Sequence, residues 1–389
     1  MPSRREFLKL AALFTAAGSL PLLQACGQRA EQNPGAPLKF GYLPITDATP
    51  LLVAHAQGLF AKHGVNNVAK PVLFRSWASL VEAFLSGQVN LIHLLSPMSI
   101  WARYGSASPI KVVMWNHMAG SALTVAPDID NVAQLAGKTV AIPFWYSVHN
   151  VVLQKILREN NLKGVEKNPQ AGEVKLSVMA PSDMVAALAN RAIAGFIVAE
   201  PFNAVAEAKG VGKVLRFSGD VWRDHACCVT LMQEHDIARR PEWVQNVVSA
   251  LVEGQAWAAG HRADTALMLS KQGPHKYTPH EDKVLQNVLA PAPEAWARYT
   301  ESGIIRHPEW HQRRIDFQPY PYPSYTEKLV EMLKETHIAG VNRFLDELSP
   351  QHVAQDLVDA RFVKQAVEAG QFQQLFGLNG WTREEMIAV

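Results

Sequence analysis

The 389-residue sequence predicts an α/β protein, because short apolar runs of strand length alternate with amphipathic helical patterns from Leu38 to Phe217. Helical segments separate most of the strands, which favours mainly parallel sheets. After Glu234 the pattern becomes mostly helical, with connections rich in histidine and proline. The sequence therefore predicts β-sheets with covering helices, followed by a C-terminal helical region.

Each predicted element has the length and periodicity of its class. Strands are expected at residues 39–43, 68–74, 91–94, 110–115, 121–125, 139–142, 174–178, 194–198 and 214–217. Helices are expected at residues 50–63, 78–86, 148–160, 183–192, 241–257, 264–270, 326–336 and 349–370.

Charge and cysteine content narrow the function classes. The 37 basic and 35 acidic residues give a net charge of +2, and the N-terminal group Arg4, Arg5 and Lys9 against Glu6 accounts for this excess. Such a balance provides no basic surface for a phosphate backbone, so we expect no nucleic-acid partner. Three cysteines cannot form a disulfide framework.

The first 26 residues have the pattern of a twin-arginine lipoprotein signal peptide. Paired Arg4 and Arg5 precede a modest apolar run. The sequence LQACG at residues 23–27, which contains Cys26, resembles a lipobox. Cys26 is thus the expected lipidation site, and the polar residues 27–37 are the expected tether. The chain is therefore expected to be exported and anchored by lipid in the periplasm or at the cell surface.

A plain N-terminal transmembrane anchor is the alternative interpretation of this segment. Lys9, Gly18 and Pro21 interrupt the apolar run. A membrane span needs about 20 consecutive apolar residues, so the pattern favours the signal peptide.

Several helices begin with hydroxyl or amide-capping side chains directly after a strand. Thr46 and Asp47 precede one helical pattern, and Ser96 begins another. The carboxyl ends of strands bind ligands in α/β sheets, and helix N-termini favour polar or anionic groups. These side chains are either simple helix caps or contacts to a ligand.

Motifs spread from about residue 38 to 257 resemble the nitrate/sulfonate/taurine family of solute-binding proteins, and most of all its nitrate- and bicarbonate-binding branch. The matching segments are GYLPITDATPL at 41–51, SW at 76–77, LSPM at 95–98, SVHN at 147–150, EPFN at 200–203 and WRDH at 222–225. The resemblance implies a type II periplasmic-binding-protein fold, in which two α/β lobes joined by a hinge close on a ligand. Its lobes would be residues 38–120 together with 222–389, and residues 121–221.

The resemblance also implies ligand contacts at particular positions. Trp77 and His149 fall where nitrate binders hold the anion, and indole and imidazole N–H groups are suitable donors for an oxyanion. Taken alone, Trp77 could equally be a core residue and His149 a structural one. Ser121 replaces a ligand-contacting glutamine of the branch, and Cys228 replaces its anion-neutralising lysine.

Loss of that lysine removes a charge-assisted contact and disfavours nitrate and bicarbonate. Aromatic residues around Trp145 could instead enclose a larger organic or planar heterocyclic solute, or could pack in the core. The expected ligand contacts are Thr46, Asp47, Trp77, Ser96, Ser121, Trp145, His149, Glu200 and Cys228.

From this resemblance and the N-terminal pattern, the chain is expected to be a monomeric substrate-binding lipoprotein that delivers a small solute to the permease and ATPase of an ABC importer. No catalytic residues, metal or cofactor are expected. Three alternatives remain open: an enzyme similar to thiamine-pyrimidine synthases, a ligand sensor for a membrane receptor, and a metal-binding protein. A metal could be held by Cys227, Cys228 and His225, or by His307 and His311.

Overall fold

The computed structural model describes residues 37–310, 313–340 and 342–388. The predicted signal peptide, Cys26 and His311 lie outside the described residues, as does almost all of the predicted tether. No helix among the described residues is both long enough and apolar enough to span a bilayer.

Thirteen strands are present in the described residues. They are β1 (Phe40–Tyr42), β2 (Val72–Leu73), β3 (Leu91–Leu95), β4 (Ile110–Trp115), β5 (Met118–Ala119), β6 (Ser121–Val125), β7 (Thr139–Ile142), β8 (Lys163–Val165), β9 (Glu173–Val178), β10 (Gly195–Ala199), β11 (Lys213–Phe217), β12 (Cys228–Gln233) and β13 (Ile315–Asp316).

Helices cover these strands and form the C-terminal region. They are α1 (Thr49–Ala56), α2 (Leu59–Lys62), α3 (Trp77–Leu85), α4 (Ser96–Ile100), α5 (Val148–Glu159), α6 (Pro181–Ala189), α7 (Phe202–Ala208), α8 (Glu234–Arg239), α9 (Pro241–Gly260), α10 (Arg262–Leu269), α11 (Asp282–Leu289), α12 (Pro293–Glu301), α13 (Pro323–Lys334), α14 (Phe344–Glu347), α15 (Pro350–Leu357) and α16 (Arg361–Ala369).

The strands form two main sheets, each with one strand that runs against the others. The five-stranded sheet has the order β2-β1-β3-β12-β4, in which β12 is antiparallel to both neighbours. The six-stranded sheet has the order β11-β6-β10-β7-β9-β8, in which β6 is antiparallel to both neighbours. The prediction of mainly parallel α/β sheets is confirmed.

The chain crosses between the sheets twice. It leaves the five-stranded sheet after β4 and enters the other at β6, and it returns from β11 to β12. In each sheet the antiparallel strand is therefore the one that follows a crossing. One crossing segment connects β4 to β6 and the other connects β11 to β12. Both segments therefore lie at the junction of the two sheets.

Aromatic side chains of the core fix the C-terminal region to the crossings. The ring of Tyr325 in α13 lies 4.8 Å from the ring of Trp115 at the end of β4 and 4.9 Å from that of Trp222. All three side chains are almost fully buried. Burying rings of this size stabilises the junction by roughly 1.5–3 kcal/mol for each side chain.

Candidate functional site

The candidate site lies where the carboxyl ends of strands from both sheets meet. Asp47 follows β1, and Ser96 follows β3 in the five-stranded sheet. His149 lies in the first turn of α5 after β7, and Glu200 follows β10 in the six-stranded sheet. The backbone N–H of Thr46 donates to the carbonyl oxygen of Glu200 at 3.0 Å, so the two sheets are in direct contact here.

Four buried side chains, Asp47, His117, Cys227 and Cys228, form what we call the central cluster. One possible metal-ligand atom from each of them lies within 4.8 Å of the other three. Nε2 of His117 lies 3.0 Å from Oδ2 of Asp47. His117 lies on the first crossing, and the cysteines lie at the end of the second, so the topology brings distant parts of the chain together.

His149 joins the central cluster from the six-stranded sheet. Its Nε2 lies 2.9 Å from Oγ of Ser121 and 3.7 Å from Sγ of Cys227. The helix that carries it is capped by Ser147, whose side chain accepts a hydrogen bond from the Asn150 amide at 3.1 Å. This cap sets the direction of the first turn and holds His149 against Cys227.

His93 and Trp77 extend the polar region on the side of the five-stranded sheet. The Leu43 amide donates to Nε2 of His93 at 3.0 Å, which assigns the ring proton of neutral His93 to Nδ1. Among the described residues, neither Nδ1 of His93 nor Nε1 of Trp77 has a hydrogen-bond partner. The two rings meet edge to face, with centroids 5.5 Å apart.

Burial and charge set different protonation states for the imidazoles. Burial lowers the pKa of His93 to about 3 and that of His225 to about 4, so both are neutral near pH 7. Burial also opposes the charge of His117, but the Asp47 carboxylate outweighs it and raises the pKa of His117 to about 10. His117 is therefore a protonated partner of Asp47 in this arrangement.

The two thiols also differ. Burial alone would raise the pKa of Cys227, but a hydrogen bond with Cys228 and the adjacent His149 and His117 lower it well below its ordinary value. Burial raises the pKa of Cys228, and its contact with Cys227 raises it further. The pKa values of the two thiols are thus shifted in opposite directions, and both cysteines are free of disulfides.

Three of the expected contacts have partners outside the central cluster. The Glu200 carboxylate accepts from Nη1 of Arg314 at 2.7 Å. Oγ of Ser96 lies 2.7 Å from the hydroxyl of Tyr325. Trp145 is partly exposed and packs edge to face against His337, with ring centroids 5.6 Å apart.

The remaining expected contacts are brought together. Asp47 and Cys228 belong to the central cluster, while Ser121 and His149 adjoin it. Thr46 lies next to them, and its hydroxyl donates to the Glu200 carbonyl at 3.1 Å.

Sequence reasoning missed His117 and His93. The only local signal was their position, since His93 lies within an apolar strand and His117 lies just beyond one. Histidines at such positions are also common in protein cores. His225, proposed as a metal ligand with the cysteines, instead has its Nε2 2.9 Å from Oγ of Ser218. Gly120, with φ of +81°, allows the ring of His117 to approach, since a Cβ there would lie 3.0 Å from that ring.

A cleft of about 570 Å³ lies at the outer edge of the junction. Leu43 and Pro44 line it from the five-stranded sheet, while Pro181 and Phe202 line it from the six-stranded sheet. Tyr277 is a further wall of this cleft, and its hydroxyl lies 2.6 Å from Nδ1 of His55. The opening between the sheets is thus lined by residues from both.

Residues 31–270 match the NMT1-like family, which is more than half of the sequence. The chain belongs to this family. Among curated relatives of this NMT1-like protein is the "Nitrate/nitrite binding protein NrtA" of Nostoc sp. strain PCC 7120, 26% identical over 240 residues. That alignment covers 56% of this chain and 53% of the relative, so the chain spans about half the length of the relative.

Solved structures similar to this NMT1-like chain have a periplasmic-binding-protein fold. The periplasmic nitrate-binding protein NrtA from Synechocystis PCC 6803 aligns with a TM-score of 0.71 and 18% identity, covering 90% of this chain and 93% of that one. A ligand-binding component of an ABC-type import system from Staphylococcus aureus, with zinc bound, aligns with a TM-score of 0.65 and 21% identity. The alignment covers 85% of this chain and 98% of that one. The predicted two-sheet fold is confirmed.

Proposed function

We propose that this protein is the solute-binding component of an ATP-binding-cassette importer and captures a small solute between its two sheets. One observation carries the proposal: His149, from a helix of the six-stranded sheet, meets Cys227, which precedes a strand of the five-stranded sheet. A solute held by both would bind more tightly when the sheets are close together. Such differential affinity is what drives closure of a two-lobed protein.

We infer that each sheet is the centre of one lobe. Residues 38–120 and 222–389 would form one lobe, and residues 121–221 the other, with the two crossings as the hinge. The contact between Thr46 and Glu200 would then belong to the closed state. Its backbone hydrogen bond lies between the lobes, so it would break when they separate.

The relatives support an importer component in preference to an enzyme. The proteins named above are described as binding proteins or as part of an import system. We infer from this that a permease and an ATPase are the partners, and we further propose that the chain acts as a monomer. A small anion and a larger organic solute are both candidates for the cargo.

Export and lipid anchoring belong to the same proposal. Arg4→Lys combined with Arg5→Lys should leave the precursor in the cytoplasm, because a receptor reads the arginine pair. Cys26→Ser should move the exported protein from the membrane fraction to the soluble fraction. Normal export of the first variant, or membrane retention of the second, would contradict this part of the proposal.

A thermal-shift and small-angle X-ray scattering screen tests solute capture. The Cys26→Ser full chain is screened with anions, organic solutes and metal ions, and at 100 times Kd a solute should add about 2.7 kcal/mol of stability. His149→Ala should reduce the response and the decrease in radius of gyration, whereas exposed His352→Ala should not. If no solute in the panel changes either quantity, the proposal fails.

A further inference from the structure

The central cluster contains more unpaired buried polar atoms than a core of this kind ordinarily tolerates. Among the described residues, both carboxylate oxygens of Asp47 lack a hydrogen-bond partner, although Oδ2 lies near His117. Nδ1 of His117 also lacks one, as does Nδ1 of His149, which adjoins the cluster. Buried polar atoms without a partner each cost roughly 1–3 kcal/mol, so their concentration at one point indicates a ligand.

The donor set of the central cluster is that of a thiophilic metal ion. Two sulfurs, one imidazole nitrogen and one carboxylate oxygen are the ligand types found in tetrahedral zinc sites. At Zn–S distances of about 2.3 Å and Zn–N distances of about 2.0 Å, neighbouring ligand atoms are separated by roughly 3–4 Å. The atoms here lie within 4.8 Å of one another, so small side-chain movements would complete such a site.

The donor atoms of the cluster suit a cation better than an oxyanion. The Asp47 carboxylate and the sulfurs of Cys227 and Cys228 offer lone pairs to a metal ion, and these ligand atoms lie within 4.8 Å of one another. Arg314, a buried guanidinium nearby in the fold, is already paired with Glu200 at 2.7 Å and with Glu207 at 2.5 Å. An anion would have to compete with two carboxylates for it.

We propose that Asp47, His117, Cys227 and Cys228 bind a thiophilic divalent transition-metal cation, with Zn²⁺ as its representative, and that this cation is the captured solute. The second half of this statement rests on the proposed function, whereas the metal site itself does not. Coordination requires a neutral imidazole and two thiolates. Binding therefore releases the protons that these ligands carry in the metal-free protein, and no electron is transferred.

His149 is placed to report binding to the other sheet. Its Nε2 lies 3.7 Å from Sγ of Cys227, so it can donate a hydrogen bond to the metal-bound sulfur. Groups that contact metal ligands in this way typically change metal affinity by about 10–100-fold. The metal would thus join the two sheets through this contact.

Cobalt spectroscopy tests the site on the chelator-treated Cys26→Ser full chain, whose only thiols are Cys227 and Cys228. Co²⁺ should bind at one ion per chain and give both an intense tetrahedral d–d spectrum and a thiolate-to-cobalt charge-transfer band. Zn²⁺ should displace it, whereas Mg²⁺ and Ca²⁺ should not. Absence of the charge-transfer band would overturn the proposal. This test needs no substitution in the central cluster, so it does not depend on whether a cluster variant folds.

Variants then assign the ligands. Cys227→Ser and Asp47→Asn should each weaken Zn²⁺ binding in calorimetry by about 100-fold or more, since a lost ligand costs more than a lost ligand contact. Ser218→Ala is the control for Cys227→Ser, because Ser218 is not a proposed ligand and contacts His225 outside the cluster. Its Zn²⁺ affinity should not change. Circular dichroism confirms the fold of each variant, and unchanged Zn²⁺ affinity in folded Cys227→Ser overturns the assignment.

The two levels of the proposal fail differently. An organic or anionic solute that raises the Tm, with Zn²⁺ and Co²⁺ inactive, would overturn the metal site and leave solute capture intact. Stoichiometric Zn²⁺ binding without a decrease in radius of gyration would support the site and contradict capture by closure. Zn²⁺ binding with closure supports both.

Discussion

Replacing Arg314 with methionine should destabilise the protein through a neighbouring carboxylate. Arg314 is buried, and it pairs with fully buried Glu200 and with partly buried Glu207. Burial opposes the charge of Arg314, but the two carboxylates outweigh it and raise its pKa above the ordinary value. Burial raises the pKa of Glu200, and Arg314 offsets part of this effect.

The size of the loss of stability depends on the protonation of Glu200 when Arg314 is absent. In Arg314→Met the carboxyl group is left buried and becomes protonated, because this costs less than burying an unpaired charge. Protonation costs about 1.36 kcal/mol for each pH unit above an ordinary pKa of about 4.3, so the loss is at most about 3.7 kcal/mol at pH 7, because the pKa of Glu200 is already raised in the wild type. At pH 5 the same cost is about 1 kcal/mol.

The sign of the pH dependence distinguishes this mechanism from a loss of packing. A carboxyl whose folded-state pKa is raised contributes most stability at low pH and loses it as pH rises, so the destabilisation should increase from pH 5 to pH 7. Urea unfolding of both proteins at the two pH values measures it. Arg313→Met is the control, because the Arg313 side chain is 52% exposed and its ion pair should contribute less than about 1 kcal/mol. A loss of equal size at both pH values would refute the reasoning.

The other predictions concern the helix–sheet packing and the sheet interior. Arg103 lowers the pKa of Asp356, so its stabilisation is present above the unfolded-state pKa and is lost as pH falls through the folded-state value. Asp356→Asn should therefore cost about 1–2 kcal/mol near pH 7, and the cost should begin to decrease as pH falls below about 4, the unfolded-state pKa, in urea titrations; a pH-independent cost would contradict the ion-pair origin. Gly195→Ala should cost about 1–3 kcal/mol, because its Cβ would lie 2.9 Å from the Thr124 carbonyl oxygen. Gly260→Ala, whose Cβ meets no atom within 4 Å, should show no such loss of Tm, and equal effects of the two substitutions would disprove the steric account.

Strand periodicity predicted the sheets well, whereas helix breaks depended on single residues. The expected helix at residues 50–63 is two helices, α1 and α2, because Gly58 adopts φ of +66° between them. The expected helix at 349–370 is also two, since Val358 pairs as a bridge with Val112 of β4. In both places the apolar periodicity of the sequence continues across the break. The break at Val358 is set only by its tertiary contact with Val112.

The strand β12 escaped prediction for a related reason. Its residues are buried on both faces between β3 and β4, so it lacks the alternation typical of a half-exposed strand. Its partners lie more than 100 residues earlier in the chain. Such pairing is set by topology and has no local signal.

The candidate site was predictable in part. Asp47, His149 and Cys228 were singled out from helix starts and from the family resemblance, and their roles as ligand contacts remain predictions. His117 carried no local pattern, yet its ring lies 3.0 Å from Asp47, which is 70 positions earlier in the chain. Proximity of this kind arises from the crossing of the chain between sheets, which composition and spacing do not encode.

The short pairing of β13 with β5 connects the C-terminal region to the first crossing. Ile315 and Asp316 pair with Ala119 and Met118, directly beside His117 and Gly120. Twisting of the sheets against each other must therefore bend a two-stranded ribbon, which resists torsion more than a single extended segment does. In the closure proposed above, substitutions near residue 315 should consequently alter how far the sheets rotate, although they lie nearly 200 positions from the segment that they stiffen.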